Sequence, residues 1–380
     1  MAAGDPLRRS TYVSALPEIH LASGDARAPA ALLSNGSVVQ RLNPAECDGW
    51  DAMLLAHPGH SFFQSAAWAK VLQDSYGYTP GYFALTEAGQ LRALLPMMEV
   101  NSWLTGRRGI SLPFTDDCAP LSFDFASFQQ LIEAAKRWGQ ARNWKYLEVR
   151  GGRQLFPGAL ASHSFFAHEL KLVNDEPYLL ARLDSAVRRA IRKAEKLGVT
   201  VEVAQSLEAL RLFYSLHCQT RKKHGLPPQP FRFFRNIHRH VLSRQNGMVV
   251  LARLQERVVA AGVYFHFGAR AIYKYGASNE ACQDLRGNNL VMWEAIKWYA
   301  RHGFETLHFG RTSAASEGLR RFKLGWGVRE RRIDYVRYDL RQRSFVSGKD
   351  GAFGWYNRLF HVLPVGLSRL VGAVLYRHVA

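Results

Sequence analysis

Cysteine is scarce in this sequence. The chain has four cysteines, Cys47, Cys118, Cys218 and Cys282, and no two of them lie close together. This spacing excludes the paired motifs of cysteine-bound metal sites and gives no sign of a disulfide framework. We therefore expect no metal, and the pattern is typical of a reducing compartment.

Long apolar runs are also missing. The sequence contains no run of about 18 apolar residues, the length that a membrane-spanning helix needs. Its first 37 residues are rich in Ala, Ser, Gly, Pro and Arg and hold no apolar core of signal-peptide length. We expect residues 1–37 to be a disordered leader and the protein to be cytoplasmic.

Acidic residues are too few to balance the basic ones. There are 31 Asp and Glu against 50 Lys and Arg, which gives a formal net charge of +19. Such an excess favours an anionic partner: nucleic acid, a nucleotide-linked substrate or acidic lipid. The alternative is a basic soluble protein with no such partner.

The apolar pattern predicts a repeated α/β architecture. A helix over 125–142 leads to a strand at 146–149, and a helix over 290–301 leads to a strand at 306–309. The shift that carries Leu147 onto Leu307 also carries Ala135 onto Ala295. Strands, a helix and a strand in the same order twice predict two duplicated domains with a cleft between them.

The predicted boundaries follow from this repeat. We expect a first domain over residues 38–177, a second over 178–342 and a helical tail over 343–380. In the first domain, residues 62–65 should lead into a helix that carries Trp68 and Lys70 and ends at Gly77. A hairpin should follow, with strands 82–85 and 91–99 around Ala88-Gly89.

The stretch from Glu305 to Gly327 combines glycine, charge and aromatic residues most densely. After the strand that begins at Thr306, small residues predict a loop, and a short helix should run from Glu317 to Lys323 with Ser316 as its N-cap. The bland interpretation is an amphipathic helix with a solvated basic face. The alternative is a functional helix that brings cations to a site.

The order of features here resembles the C-terminal signature of the Fem-type aminoacyl transferases. The matching residues are Gly310-Arg311-Thr312, then Glu317-Gly318, then Phe322-Lys323 followed by Trp326-Gly327. The similarity runs from about Phe62 to Tyr338 and is strongest to the branch encoded beside exosortase systems in Gram-negative bacteria. It implies two tandem acetyltransferase-like (GNAT-type) domains with a mixed α/β sheet.

The resemblance also implies roles for single residues. Phe322 and Lys323 would lie near the transferred group, with Lys323 stabilising negative charge. Independently of the resemblance, Asp116 or Asp117 could accept a proton; the alternative is that these paired aspartates only form a turn. The expected substrate contacts are Gln64, Trp68, Lys70, Lys223 and Arg311. In this family Lys70 and Lys223 would hold the diphosphate of a nucleotide-linked acceptor.

Two departures from the family pattern restrict the substrates. Leu112 to Asp117 stands where the family has an acceptor-binding Gly-Pro loop, which speaks against a muropeptide acceptor. The stretch Gln283 to Asn289, where acetyltransferases bind coenzyme A, has one glycine and no second small residue after it. No cofactor is expected, and aminoacyl-tRNA is favoured over acyl-CoA as the donor.

A strongly basic helix is predicted between Asp184 and Gly198. Its cations form one broad stripe and are Arg188, Arg189, Arg192, Lys193 and Lys196. The family has a similar helix at the start of its second domain, which favours contact with phosphate or RNA, through Arg188 and Arg192 in particular. The alternative is a solvated surface helix.

These observations predict an acyltransferase that moves an aminoacyl or other acyl group to an amine of a cell-envelope precursor, such as a peptidoglycan or exopolysaccharide intermediate. The precursor would be anionic and nucleotide- or lipid-linked. The alternatives are a non-catalytic polysaccharide- or nucleic-acid-binding protein and a coenzyme A-dependent N-acetyltransferase. No Ser-His-Asp or Cys-His order supports a covalent acyl-enzyme.

The tail after Gly351 is dominated by apolar residues with interspersed arginine. Pro364 should divide it into two short helices. Two arrangements are open: the tail docks peripherally on an anionic inner membrane, or it packs back on the domain and covers an apolar groove.

Overall fold

The structure, a computed structural model, describes residues 38–347 and 360–379. The predicted leader and residues 348–359 of the tail lie outside the described residues. The helices, in chain order, are α1 (Trp50–Leu55), α2 (Ala66–Tyr76), α3 (Phe125–Ala141), α4 (Glu176–Ala181), α5 (Ser185–Lys196), α6 (Leu207–Lys223), α7 (Phe231–His240), α8 (Gly287–Arg301), α9 (Glu317–Leu324) and α10 (Val365–Leu375). Short 3₁₀ helices lie at Phe62–Gln64, Arg153–Leu155, Leu242–Arg244 and Glu280–Leu285.

The strands form two sheets. In chain order they are β1 (Val39–Leu42), β2 (Thr79–Pro80), β3 (Tyr82–Glu87), β4 (Gln90–Leu95), β5 (Met98–Ser102), β6 (Gly106–Ile110), β7 (Leu121–Ser122), β8 (Tyr146–Arg150), β9 (His163–Lys171), β10 (Thr200–Ala204), β11 (Gly247–Leu254), β12 (Arg257–Phe267), β13 (Arg270–Ser278), β14 (Thr306–Ser313), β15 (Arg329–Asp339) and β16 (Ser344–Val346). The small sheet has the order β1-β3-β4-β7. The large one has the order β10-β11-β12-β13-β14-β9-β15-β8-β6-β5-β2, with β16 paired to β15.

The predicted duplication is visible in the large sheet. In the first half α3 connects β6 to β8, and β6 pairs with β8 in parallel at Gly109–Ile110. In the second half α8 connects β13 to β14, and these strands pair in parallel at Arg270–Ile272. The equivalent pair Ala135 and Ala295 is fully buried on the two helices. The prediction of two tandem units with mixed sheets is confirmed at the level of element order.

The two halves exchange strands at their junction. Strand β9 belongs to the first half but pairs with β14 of the second, and β15 of the second half pairs with β8 of the first. The exchanged strands also pair with each other. Tyr178, where the second domain was predicted to begin, lies inside α4, after the first exchanged strand. The division at residues 177/178 stays a prediction, because the sheet is continuous through the junction.

The predicted hairpin is confirmed at its turn but not over the full length of its second strand. Ala88 and Gly89 have φ values of 49° and 77° and form the predicted hairpin turn between β3 and β4. The expected single strand 91–99 is wrong: β4 ends at Leu95 and β5 belongs to the other sheet. Pro96 separates them, since proline has no N–H for a strand ladder.

Helix ends follow their signals. Ser65 caps α2 by accepting the Trp68 N–H, and Gly77 ends that helix with φ 71°. Ser316 occupies the N-cap position of α9 as predicted, although its side chain makes no capping hydrogen bond. In the tail, residues 360–362 are helical and α10 begins directly after Pro364, as predicted. Within the described ranges, no helix is both long and apolar enough to cross a membrane.

Trp68 lies at the centre of the largest core. Its side chain is 0% exposed and packs among four phenylalanine rings, which are Phe62, Phe63, Phe233 and Phe265. Helices α2 and α7 cover this face of the sheet, and α5 and α8 cover the opposite face. The substrate contact predicted for Trp68 does not fit this position, because no part of the side chain reaches solvent.

This position predicts a large loss of stability on truncation. Trp68→Ala should lower the free energy of unfolding by about 3 to 5 kcal/mol, since it removes buried area and leaves a cavity. Trp103→Ala is the matched control: that ring is 83% exposed, so the change should be within about 0.5 kcal/mol. Guanidinium unfolding of the three proteins measures both values. Equal stability of the two variants would contradict the core assignment.

Candidate active site

The strands β13 and β14 separate in the middle of the large sheet. Their parallel pairing ends at Ile272 and His308, and the pairing of β14 with β9 is irregular between His308 and Arg311. Gly310 makes this irregularity with a φ of 71°. A Cβ atom there would lie 3.4 Å from the Tyr273 carbonyl oxygen and 3.5 Å from the Asp116 carboxylate. The result is a gap in the sheet beside Gly310.

The amine of Lys323 fills one side of this gap. Helix α9 supplies the side chain, whose Nζ donates to the carbonyl oxygens of Gly310 at 3.0 Å and Arg311 at 3.1 Å. The residue is only 3% exposed, so Lys323 is not part of a solvated basic face of this helix. Burial lowers its pKa to about 8, although the Asp116 carboxylate acts in the opposite direction. The amine can therefore change its charge near neutral pH.

A charge cluster fills the other side. The Asp116 carboxylate accepts from Lys274 Nζ at 2.9 Å and lies 3.9 Å from Arg311 Nε. Burial alone would raise the pKa of Asp116, but the Lys274 and Arg311 cations outweigh it and hold that pKa below its usual value. Asp116 is therefore ionised and a weak base, so the role of proton acceptor fits it poorly. Its geometry suits a residue that positions two cations.

Tyr335 connects this cluster across the domain junction. Its hydroxyl donates to the Asp116 backbone carbonyl at 2.8 Å and accepts from Arg311 Nη1 at 2.5 Å. The Arg311 guanidinium also stacks over the Phe165 ring, 4.4 Å from its centroid. Arg311 is thereby held in one orientation with about a third of its side chain, 36%, open to solvent. It can still meet an anionic ligand.

His308 presents a fixed tautomer next to the gap. Its Nδ1 accepts the Gly310 N–H at 3.0 Å, so the neutral ring must carry its proton on Nε2. Burial lowers the pKa of His308 to about 4, which keeps the ring neutral. The Nε2 atom is buried and has no hydrogen-bond partner among the described residues. His308 lines a pocket of about 160 Å³ together with Gln64, Asp117 and Arg331.

Of the predicted site residues, the structure brings Asp116, Arg311 and Lys323 together. Phe322 is next to Lys323 but turns to the core, 6.0 Å from the Trp326 ring. Gln64 is 1% exposed, and its amide nitrogen donates to the Ala119 carbonyl. These contacts give Gln64 a role in holding the loop that carries Asp116.

The predicted phosphate contacts, Lys70 and Lys223, each have local charged neighbours. Lys70 is exposed on α2, where its charge acts on the Asp51 carboxylate. Lys223 pairs with Glu280 at 2.8 Å in an open groove of about 620 Å³ between the end of α6 and the loop before α8. No contact among the described residues joins Lys70 or Lys223 to Lys323. Their convergence on one cleft stays a prediction.

The cations of the basic helix α5 are of two kinds: Arg188 is held by backbone carbonyls, and the others are exposed. Arg188 Nη1 donates to the carbonyls of Ala181 at 2.9 Å and Leu183 at 2.7 Å, so this guanidinium caps the end of α4. Its predicted substrate contact therefore competes with a structural one. The exposed cations of the helix are Arg189, Arg192, Lys193 and Lys196.

Sequence reasoning missed Lys274, His308 and Tyr335. Lys274 interrupts an otherwise mostly apolar strand, and this was the available signal. The roles of His308 and Tyr335 depend on pairings between distant strands, which no local pattern shows. In the described ranges, no cluster of three or more His, Cys, Asp or Glu is placed to hold a metal ion.

The sequence and the structure were compared with known protein families and solved structures. Residues 181–324 match the acetyltransferase (GNAT) domain family. The crystal structure of FemX superposes with a TM-score of 0.61 at 16% identity, covering 75% of this chain and 94% of that one. A tandem GNAT protein from the clavulanic acid biosynthesis pathway gives a TM-score of 0.53 at 12% identity, with coverages of 80% and 99%. A conserved protein of unknown function from Bacteroides thetaiotaomicron gives 0.52 at 9% identity, with coverages of 79% and 99%.

No curated protein matches the sequence. The structural similarities confirm the predicted fold of two tandem GNAT-type domains with a mixed sheet. The family match makes the protein an acyltransferase, and the gap between β13 and β14 lies within the matched residues.

The buried amine makes stability depend on pH. An unfolded lysine has a pKa of about 10.4, whereas that of folded Lys323 is about 8. Between these values the unfolded chain binds a proton that the folded chain does not, so the free energy of unfolding rises with pH through this window. Relative to Lys323→Met, wild type should gain at most roughly 3 kcal/mol across the window.

Urea unfolding of both proteins at a series of pH values measures this difference. Subtracting the variant removes the titration of other lysines and tyrosines. A difference that stays flat with pH would show that Lys323 titrates normally in the folded protein.

Proposed function

We propose that the protein transfers an aminoacyl group to an amine of an anionic cell-envelope precursor, with the reaction at the gap beside Gly310. The observation that carries this proposal is the buried Lys323 amine with a pKa of about 8 at that gap. A lysine that is expensive to bury and touches no structural anion is more readily explained by chemistry than by packing.

The proposed reaction is the transfer of an acyl group from an ester to an amine. The acceptor amine attacks the ester carbonyl of the donor, a C–N bond forms, and negative charge develops on the carbonyl oxygen. The C–O bond to the donor hydroxyl then breaks, the amine loses a proton and the leaving hydroxyl gains one. The ester is already activated, so holding the reactants and stabilising the oxyanion can suffice.

Lys323 is suited to meet the oxyanion. Two N–H groups of the ammonium are used by the Gly310 and Arg311 carbonyls. The third has no partner among the described residues and can donate to a developing oxyanion. Because the site is almost fully buried, such a charge-assisted hydrogen bond is stronger than it would be in water.

Arg311 and the exposed part of α5 support an anionic substrate. Arg311 is fixed by Tyr335 and partly exposed, which is the arrangement expected for a guanidinium that grips a phosphate or carboxylate. Helix α5 adds four exposed cations to the same half of the chain. An aminoacyl-tRNA donor would satisfy this surface through its phosphates.

A coenzyme A donor is the second candidate, because Gly287 opens α8 in the position where a phosphate could meet free N–H groups. A Cβ at Gly287 would lie 3.1 Å from the side chains of Ala260 and Val259, so close packing already accounts for a small residue there. In the adjoining groove the Glu280 carboxylate already pairs with Lys223, so this cation is less available to a pyrophosphate. We therefore favour the aminoacyl donor.

Mass spectrometry of envelope precursors tests the proposal. Cells with the gene should contain a precursor whose amine carries one added aminoacyl residue, and cells without the gene should lack it. An acetyl increment in its place would favour coenzyme A. Identical precursors in the two strains would contradict the proposed acceptor class.

Two variants of Lys323 test whether its positive charge is needed for the reaction. Lys323→Met should lower kcat by about 10²- to 10³-fold, since it removes an oxyanion donor. Lys323→Arg keeps the positive charge at all relevant pH values and should retain more activity than Lys323→Met. It should also move the alkaline limb of the pH–rate profile, near pH 8 in wild type, to higher pH. Single-turnover transfer from a bulk aminoacyl-tRNA mixture measures these rates. Wild-type rates in Lys323→Met would exclude Lys323 from the chemistry.

The basic helix should contribute to donor binding. The triple variant Arg192→Gln, Lys193→Gln, Lys196→Gln should weaken binding of bulk tRNA and reduce the dependence of log K on log salt by about 2 to 3. A matched control loses three exposed arginines from other parts of the surface: Arg137→Gln, Arg341→Gln and Arg343→Gln. Fluorescence anisotropy at several salt concentrations measures both. Equal losses would show that net charge, not α5, holds the tRNA.

A further inference from the structure

Helix α10 packs with its polarity reversed. The side that faces the protein is small or polar: Ser368 is 2% exposed and Gly372 is buried. A Cβ atom at Gly372 would lie 2.1 Å from the Pro228 carbonyl oxygen, so nothing larger than glycine fits there. The opposite side carries the large apolar residues, with Leu367 50%, Leu370 66% and Val374 59% exposed. A helix that only completed a core would turn these residues inward.

This orientation is fixed by hydrogen bonds that follow the helix. The Tyr376 hydroxyl accepts from Arg221 at 2.7 Å and donates to the Pro227 carbonyl at 3.1 Å. The Tyr78 hydroxyl donates to the Tyr376 carbonyl at 3.0 Å. Tyr78 belongs to the first half of the chain and Arg221 to the second, so both halves hold the tail. The exposed leucines of α10 are therefore held in a fixed position on the protein surface.

A second element extends the same surface. In the turn between β5 and β6, Trp103 is 83% and Leu104 51% exposed. The Trp103 ring lies 5.3 Å from the ring of His378, just after α10, and the His378 carbonyl accepts from Arg108 at 2.7 Å. The turn and the helix thus meet at one end of α10. We call the following set the tail surface: Trp103, Leu104, Leu367, Leu370 and Val374.

The two segments that form the tail surface carry charges of one sign. Arg369 is exposed on α10, Arg377 is exposed two residues after it, and Arg107 follows Leu104 by three residues. Neither residues 351–380 nor residues 100–115 contain a single Asp or Glu. An apolar surface formed by two segments whose charged side chains are all basic is complementary to an anionic surface with an apolar interior.

We propose that the tail surface docks the protein on an anionic lipid bilayer, with α10 lying in the plane of the interface. The helix has 11 residues, about 16 Å in length, which suits a position along a membrane and not across it. Tryptophan is favoured at the depth of the lipid headgroups. An interface with a folded protein or with a second copy of this chain typically has a rim of mixed polar groups, whereas the charged groups of the segments that form the tail surface are all basic. The inference is independent of the proposed reaction.

Flotation of the whole protein with vesicles tests the proposal. Wild type should float with vesicles of phosphatidylglycerol and phosphatidylcholine in equal amounts and much less with phosphatidylcholine alone. Leu367→Gln with Leu370→Gln should reduce the bound fraction about tenfold, because two large apolar side chains no longer enter the interface. Trp103→Ala should reduce it as well. Thermal unfolding should be unchanged, since all three residues are at least half exposed.

The matched control places glutamine at two exposed leucines outside the tail surface. Leu160→Gln with Leu197→Gln changes side chains that are 66% and 44% exposed and should float as wild type does. The proposal is overturned if wild type stays unbound on anionic vesicles, or if the Leu367/Leu370 variant binds them as wild type does. Equal flotation on both vesicle types overturns recognition of anionic lipid.

Light scattering tests the alternative that a second copy of this chain covers the tail surface. A wild-type dimer that becomes a monomer in the Leu367/Leu370 variant, with no flotation of either, assigns the surface to a second copy and overturns the membrane role. Transfer to soluble substrates should be unchanged in the same variant, so a failure of the proposed reaction and a failure of docking are measured separately.

Discussion

Gly310 is the residue on which the arrangement of the site depends. Its N–H fixes the tautomer of His308, and its carbonyl holds the amine of Lys323. Its φ of 71° is a conformation that side-chain-bearing residues rarely adopt. The space where a Cβ would stand is bounded by the Asp116 carboxylate and the Tyr273 carbonyl. One glycine thus opens the sheet and at the same time places two titratable groups at the opening.

The exchange of strands gives this opening a rigid frame. Because β9 and β15 cross between the halves, the Asp116 loop of the first half is joined to the gap of the second by Tyr335 and Lys274. The ion pair between Asp116 and Lys274 is almost completely removed from solvent, and removing one partner of such a pair leaves an uncompensated buried charge. The two halves are therefore held in one register at the point where the reaction is proposed.

The sequence predicts elements far better than contacts. Order and type of the repeated elements follow from apolar periodicity. Motifs pointed to Arg311 and Lys323, and Asp116 was a candidate because of its carboxyl group. The burial of Lys323 could not be predicted, since a lysine beside Arg320 and Arg321 on a short helix has the pattern of a solvated face. In the structure Arg320 pairs with Glu330 at 2.6 Å while Lys323 turns inward. Which cation of a basic helix points inward depends on the strands beneath it, and these are far away in the sequence.

The position of Asp116 explains two effects: the pKa of Asp116 itself is lowered, and Asp116 counteracts the lowering of the pKa of Lys323. Burial alone would lower the pKa of Lys323 further, and the nearby Lys274 cation acts in the same direction. The Asp116 carboxylate opposes both, and it can do so only while it is ionised. Lys274 and Arg311 keep it ionised by lowering its pKa. The contribution of Asp116 is thus electrostatic: it holds Lys323 in the range where the ammonium form is populated at neutral pH, which is the form that can meet a developing oxyanion.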